Sequence, residues 1–461
     1  MPPQPPGLIS FDDWDARYEQ LVADGLAQPS YGGPLRRHLA DGDLRLPRLQ
    51  YDNSPAALRL WNFLLTEEAR LHQARRDGHK IVGTMKDLGT VPVLAYSAGN
   101  LRAFYPDGAW WAPCVMELSS GVLAAADALG LDDSFCPVRA MIGAFANQAH
   151  WPIPDLLTCS VGATCDDFSA IAQRLEPLGH PVLWWEIPHR RTPSPAEEAV
   201  ALPGGFAAPR DQVAFVRTQM AMLRDALADL AGETLDEPAL RRGIARANEI
   251  RRLLAALRDL AFTASPCPMP ALEMQIAEML ALHFCSDPHE CRLVLTDLLT
   301  ETRNRVQAGL GVLSPHAVPV FWVNPVADLQ AMNLLEQCGG RVCGTDYMFG
   351  HALAEIPEDV EPLEALAMTA LGDPMAGSAA DRAQAIARQI RRYAPRAVVI
   401  SRIPGASHCA TEGRVITQVL RGLFDIPVIE VEVPPLSDSL RPSLTTRLQA
   451  VIETAREATP T

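Results

Sequence analysis

Two stretches far apart in this chain repeat one order of elements. The first reads Pro154-Asp155-Leu156-Leu157-Thr158-Cys159-Ser160, then a Gly-containing loop to Cys165, a helical stretch over 167–178, and Pro181–Pro188. The second reads Pro395-Arg396-Ala397-Val398-Val399-Ile400, then Pro404-Gly405-Ala406-Ser407-His408-Cys409, a helical stretch over 411–423, and Ile426–Pro434. Each copy runs strand, Gly-containing loop, Cys at a helix entrance, helix, and a strand ending in Glu and Pro. Strands alternating with helices build parallel βαβ units, so an α/β fold with two lobes of similar build is expected.

The rest of the chain divides around these lobes. Residues 1–78 read as a charge-mixed helical leader, with helix-like apolar spacing over Phe11–Asp24 and Ser54–Arg75. Ser54-Pro55 has the form of an N-cap followed by proline in the first helical position. A first α/β lobe is expected over 79–205, with short apolar strand candidates at Lys80–Met85, Val91–Tyr96, Leu156–Ser160 and Pro181–Ile187. The Ala/Pro/Gly-rich stretch 197–209 reads as a linker. A helical insertion over 206–316 follows. Val213, Val216, Met220, Leu223, Leu227 and Leu230 step by three and four before Gly232 as a C-cap. Further helices are expected from about Asp236, over Ala271–His283 and over Arg292–Ala308. The second α/β lobe, 317–461, carries strand candidates at Val318–Asn324, Ala397–Ser401 and Ile426–Val433, and a closing helix over Ser443–Ala458.

Charge and hydropathy exclude several function classes. Lys plus Arg number 40 and Asp plus Glu 55, a net charge of −15, so no nucleic-acid partner and no anionic membrane partner are expected. The longest uncharged run, 308–327, is broken by Pro315, Pro319 and Pro325, so no membrane span is expected. Met1–Ser10 is Pro-rich without a basic or apolar segment, which argues against a signal peptide and makes the cytoplasm the expected location.

There are ten cysteines, and in a cytoplasmic chain of this size they are not a disulfide framework. In open parallel sheets ligands bind beyond the carboxyl ends of the strands. Cys165 and Cys409 both fall in such loops, at helix entrances, where unpaired amides favour the thiolate that ligates metal. Cys136, in Phe135-Cys136-Pro137, is a third cysteine of this kind. A shared iron–sulfur site at Cys136, Cys165 and Cys409 is one reading; three buried small hydrophobes is the other. The run His283, Cys285, His289, Cys291 has zinc-like composition, but Asp287-Pro288 breaks it, and a helix–turn–helix corner with buried cysteines accounts for it. Cys338 and Cys343 flank Gly339-Gly340 and are expected to pack a helix end. Cys159 and Cys267 read as core or structural, and Cys114 stays open. Gly83-Thr84-Met85 and Gly89-Thr90 are substrate-facing turns or plain turns. Arg139, His189, Arg190, Arg191 and Arg402 are candidates to meet CoA phosphates or ordinary solvated cations. Trp184-Trp185 reads as core. No Walker A loop, G-x-S-x-G or H-E-x-x-H motif occurs.

In these stretches the chain resembles the cluster-binding subunits of benzoyl-CoA reductase and 2-hydroxyacyl-CoA dehydratase. The matching segments are Phe135-Cys136-Pro137-Val138-Arg139 with Gly143, Pro154–Leu157 leading to Cys165-Asp166, Val320–Asp346, Ala397–Ile400 leading to Ser407-His408-Cys409, and Ile426–Glu432. The resemblance covers roughly residues 80–461. It implies two flavodoxin-like parallel-sheet lobes with a helical insertion. It implies a [4Fe–4S] cluster held by Cys136, Cys165 and Cys409, with the fourth iron open to a small ligand or substrate. It also implies a homologous second cluster-binding subunit, an ATP-hydrolysing Fe–S activator, and an acyl-CoA thioester that receives single electrons through a ketyl radical. Dehydratase subunits carry a Glu in an early Pro-x-Glu segment, whereas this chain reads Val91-Pro92-Val93-Leu94. That departure and the long leader tilt the reading toward an aromatic acyl-CoA reductase, with a 2-hydroxyacyl-CoA dehydratase subunit next. A related branch carries a double-cubane [8Fe–9S] cluster, for which Cys114, Cys338 or Cys343 would have to join the site. The other alternative is a non-redox α/β protein that binds a CoA ester.

Overall fold

The structure, a computed structural model, describes residues 5–23, 33–41, 45–87, 89–110, 118–149, 151–283, 286–347 and 349–457. The side chains of 39–41, 118–120, 283, 349 and 408–410 lie outside that description.

A short antiparallel pair, β1 (Leu8–Ser10) with β2 (Gln50–Asp52), opens the chain. The first parallel sheet is built from β3 (Lys80–Met85), β4 (Leu101–Phe104), β5 (Leu156–Gly162) and β6 (Val182–Ile187), in the order β4-β3-β5-β6. A hairpin of β7 (Ala199–Leu202) and β8 (Phe206–Pro209) follows. The second parallel sheet takes β9 (Val318–Val323), β10 (Gly340–Asp346), β11 (Ala397–Arg402) and β12 (Val428–Glu432), in the order β10-β9-β11-β12. Numbered within its own sheet, each runs 2-1-3-4. This is the flavodoxin-like order, in which the chain reverses direction of travel between strands 1 and 3 and leaves a crevice at their carboxyl ends. The two repeat copies are strand 3, helix and strand 4 of each sheet.

The helices form where capping and periodicity agree. Ser54 Oγ accepts the Ala57 amide at 3.2 Å and starts Pro55–Leu65. Gly232, at φ +66°, closes Arg210–Ala231, and the Asp236 carboxylate caps Glu237–Thr263 through the Ala239 amide at 2.9 Å. The long helix Glu237–Thr263 ties the two sheets together. Its buried Arg251 donates to the Gly89 carbonyl below the first sheet and to the Ala354 carbonyl below the second.

Three expectations are corrected. Val91–Ala95 is a short helix, not a strand: the buried Asp87 carboxylate accepts the Gly89, Thr90 and Val91 amides and nucleates a turn. A short buried apolar run has no periodicity to reveal this. The 197–209 stretch is the β7–β8 hairpin, not a linker. Gly204 and Gly205, both at φ +78°, make its turn, while Val200, Leu202 and Ala208 are buried. Cys343 lies within β10 rather than at a helix end; Cys338 does cap the C-terminus of helix Gln330–Gln337.

The leader is bound tightly to the helices. Arg305 grips Asp52 with two bonds of 2.5 and 2.9 Å, and Arg59 pairs with Glu290 at 2.6 Å. Beside Asp52 sit two buried carboxyls, Glu273 and Glu336, each with one carboxyl oxygen that has no hydrogen-bond partner. Burial pushes each up to about 8, helped by the Asp52 charge and, for Glu336, first by Glu273. Both therefore favour the protonated folded state, and their support is full below the ordinary value of 4.5 and lost as pH rises through 8. We expect the thermal midpoint to fall from pH 6 to pH 9 and Glu273→Gln to flatten that slope. An unchanged slope would mean that Glu273 is ionised in the fold.

Candidate functional site

The two crevices are built alike at atomic detail. Each strand 1 ends on a non-glycine residue in the left-handed region, Lys86 at φ +61° and Asn324 at φ +67°. Each is held by a serine of strand 3. Ser160 Oγ donates to the Lys86 carbonyl at 2.5 Å, and Ser401 Oγ lies 3.0 Å from the Asn324 carbonyl. Such backbone geometry is costly for a side chain and persists only where neighbours over-determine it. Ser160 and Ser401 occupy equivalent positions of the sequence repeat, so the repeat extends to the loop ends.

The cysteine segments meet between these crevices. Cys165 is the N-cap residue of helix Asp166–Leu175 and is buried. Its Sγ lies 3.4 Å from Asp167 Oδ2, and the same oxygen accepts the Ser407 amide at 3.1 Å. Asp167 thus joins the Cys165 loop to the first turn of helix Ser407–Leu423, whose third residue is Cys409. Cys136 precedes the short 3-10 turn Pro137–Arg139 and is half-buried. Gly405, at φ +76°, presses against that peptide: a Cβ there would stand 2.6 Å from the Phe135 carbonyl oxygen and 3.1 Å from the Cys136 nitrogen. Three cysteine-bearing segments from the two lobes are therefore in contact, one pair through the Asp167 side chain and the other through the backbone at Gly405. Lys86 adds a cation, its side chain 1% exposed, 3.0 Å from Ser169 Oγ and 3.8 Å from Asp166. Burial pulls its pKa down, while Cys159, Asp166 and Cys165 pull it up.

The family described as 2-hydroxyglutaryl-CoA dehydratase, D-component matches residues 93–455. The chain belongs to this dehydratase family. The family is one of enzyme subunits that act as components of a multi-subunit dehydratase system. No curated protein matches the chain.

Among the other described cysteines of this dehydratase-family chain, Cys159 lies on β5 against the Cys165 helix, its Sγ 4.0 Å from the Phe168 carbonyl, while Cys267, Cys291, Cys338 and Cys343 lie on other elements. Burial pushes Cys159 and Cys343 up to about 12 and Cys267 up to about 11, and raises Cys291 and Cys338. Buried neutral thiols of this kind act as small hydrophobes. Cys338 sits at the amino end of β10 and Cys343 inside it, neither on a carboxyl-end loop. Cys114 and Cys285 lie outside the described residues. Among the described residues, which exclude the Cys409 thiol, no three His, Cys, Asp or Glu side chains gather as a metal-ligand set.

The basic residues singled out in the sequence are not gathered on one ligand. Arg139 is buried against Asp127 and the Phe135 carbonyl. Arg190 donates to the Leu371 and Asp373 carbonyls and stacks on Phe206. Arg191 pairs with Glu197, and Arg402 with Glu432. Trp185 is buried, whereas Trp184 is half-exposed and donates to Glu176 at 3.1 Å. No described helix is long and apolar enough to cross a membrane.

Beneath the second crevice lies a buried charge network that sequence reasoning did not find. Asp346 ends β10, and His351 bridges it to Asp373 at 3.0 and 3.3 Å. Arg382, 1% exposed, binds Asp346 at 2.6 Å, the Asn324 side chain at 2.8 Å and Glu412 at 2.6 Å. Glu412 stands on the Cys409 helix. Burial alone would lower the His351 pKa, but Asp346 and Asp373 outweigh it and lift it to about 9. Burial alone would raise that of Asp346, but Arg382 and His351 hold it well below the carboxylate range. The support from His351 is full below 6.5 and lost as pH rises through about 9; that from Asp346 is lost as pH falls below 3.8. Without the fold, Asp346 and Arg382 are separated by 35 residues of unremarkable sequence, and no spacing signals their contact.

Proposed function

We propose that the chain is the cluster-carrying subunit of an acyl-CoA-processing enzyme, with a [4Fe–4S] cluster held by Cys136, Cys165 and Cys409. The observation that carries this reading is the contact of the three segments through the Asp167 side chain, the Ser407 amide and the close approach of Gly405 to Phe135. The donor set suits the group, since iron–sulfur clusters are held by cysteine thiolates and helix entrances favour that form. When bound, such a cluster supplies low-potential single electrons to a ligand at its open iron. The protein's own part is positioning. Asp167 orients the Cys165 and Cys409 loops together, and Lys86 offers a buried positive charge near Cys165. Tight packing of Gly405 on Phe135 excludes water between the lobes. In this reading 79–205 and 317–461 are the lobes flanking the insertion 206–316.

Dehydration of a 2-hydroxyacyl-CoA follows most directly from the family match. An ATP-dependent reductase of an aromatic acyl-CoA is the second reading, favoured by Val91-Pro92-Val93 where dehydratase subunits carry Glu. A homologous second subunit and an ATP-hydrolysing activator belong to both. The placement of Cys338 and Cys343 favours one cluster over a double-cubane [8Fe–9S] group.

The test is iron and acid-labile sulfide per chain after anaerobic purification with the partner subunit, for wild type and Cys409→Ala. We expect about four of each in wild type and under about one iron in the variant. Product analysis with an aromatic and a 2-hydroxyacyl thioester then separates the two reactions. Iron-free wild-type protein would end the redox reading.

A further inference from the structure

A large cleft lies at the other end of the first sheet. It has a volume of about 920 Å³ and lies between the end of helix Glu67–Arg76, the amino ends of β3 and β4, and helices Glu237–Thr263 and Pro288–Gln307. The cysteine loops sit at the carboxyl ends of these strands, roughly a strand length, about 20 Å, away. We propose that this cleft binds a phosphate-bearing anion of nucleotide size.

Charge is the first argument. Five arginines (Arg70, Arg76, Arg102, Arg246 and Arg292) line the cleft against three carboxylates, Asp77, Glu249 and Asp287, in a chain of net charge −15. The carboxylates neutralise these cations only in part: Glu249 pairs with Arg292, and Asp287 and Asp77 act on Arg102, but five arginines face three carboxylates. Asp287 caps its own helix through the Glu290 amide at 3.0 Å, and Asp77 accepts from Gln73 at 2.8 Å. Arg292 and Glu249 stand 3.8 Å apart. Arg76 bonds to the Gln73 side chain, Arg102 to the Gly99 and Leu101 carbonyls, and Arg246 to the Tyr96 carbonyl. Arg102 also feels the Asp287 and Asp77 charges, while Arg76 and Arg246 form no ion pair with a described carboxylate. Arginines held by neutral acceptors keep their charge and their remaining donors for a ligand, and guanidinium forks match phosphate oxygens.

An unmet donor is the second argument. His79 Nε2 lies 3.2 Å from Arg102 Nη2. A guanidinium only donates, so Nε2 of the neutral ring accepts and the proton sits on Nδ1. That Nδ1 is shielded from solvent and has no hydrogen-bond partner. A buried donor without an acceptor is unfavourable, and a small movement of the His79 ring, which lines the cleft, would bring it to an anion oxygen. The volume falls in the range of about 300–1,000 Å³ typical of small-molecule sites. Leu101 and Ile250 add apolar wall for a flat ring.

Phosphate esters reach such a cleft from two sources, the phosphorylated nucleotide end of CoA or a free nucleotide. The test is isothermal titration of the full chain with CoA, adenosine bisphosphate, ADP and inorganic phosphate. We expect binding of at least one organic phosphate that weakens with added salt. Arg76→Gln combined with Arg246→Gln removes two exposed cations without touching the core and should weaken it about tenfold or more. Arg303→Gln, exposed and outside the cleft, should leave it unchanged. CoA and the bisphosphate binding without ADP would mark the CoA end as the source; equal binding of ADP would mark a free nucleotide. Cys409→Ala should bind as wild type, so loss of the cluster reading leaves this inference standing. No binding of any phosphate ligand at millimolar concentration, or binding indifferent to the double substitution, would overturn it.

Discussion

Arg382→Met should lower the stability of the second lobe by about 3–5 kcal/mol, the range for removing one partner of a buried ion network. Methionine keeps most of the volume, so the loss is electrostatic. Asp346 would keep only His351, while Glu412 and the Asn324 side chain would lose the Arg382 guanidinium. At about 2–4 °C per kcal/mol for a lobe of this size, the thermal midpoint should fall by about 6 °C or more. The companion Arg382→Met/Asp346→Asn should recover part of the loss, because neutralising Asp346 removes the charge left without its main partner. A single-variant loss below about 1 kcal/mol would mean that water replaces the guanidinium, and would contradict the buried network.

Gly405→Val should act on the site rather than on the lobe alone. Its backbone, at φ +76°, is in the region that β-branched residues avoid. The new Cβ would also fall within 2.6 Å of the Phe135 carbonyl. Neither neighbour is a flexible side-chain end, so the Cys409 loop must move away from Cys136. The expected readout is loss of more than about half of the bound iron, with the far-ultraviolet circular dichroism unchanged. Gly422→Ala, near the end of the helix that follows Gly405 and with nothing within 4 Å of its Cβ, is the control and should hold full iron. Equal iron in both variants would show that the loop apposition is not what assembles the site.

The parts legible in the sequence were those written in local pattern. The step of three and four from Val213 to Leu227, closed by Gly232, specified a helix because one stripe must face the core. The matched strand–loop–helix–strand copies specified two sheets, because a parallel strand pair needs a crossover of that composition. Val91–Ala95 was misread since a short buried run looks the same in either state, and β4 was missed since four residues carry little pattern. The cysteine positions at helix entrances were also local features, and so were open to reading.

What only the tertiary structure decided is which loops meet. The left-handed ends at Lys86 and Asn324 exist because Ser160 and Ser401 of neighbouring strands hold them, and no local signal marks a non-glycine residue for that conformation. Asp167 reads as a first-turn acid of its own helix; its bond to Ser407 is a fact of lobe packing. Arg382, His351, Glu273 and Glu336 look like surface residues in sequence, yet all are buried. Their charge states follow from partners distant in the chain, because the field at a buried group is set by what surrounds it in space.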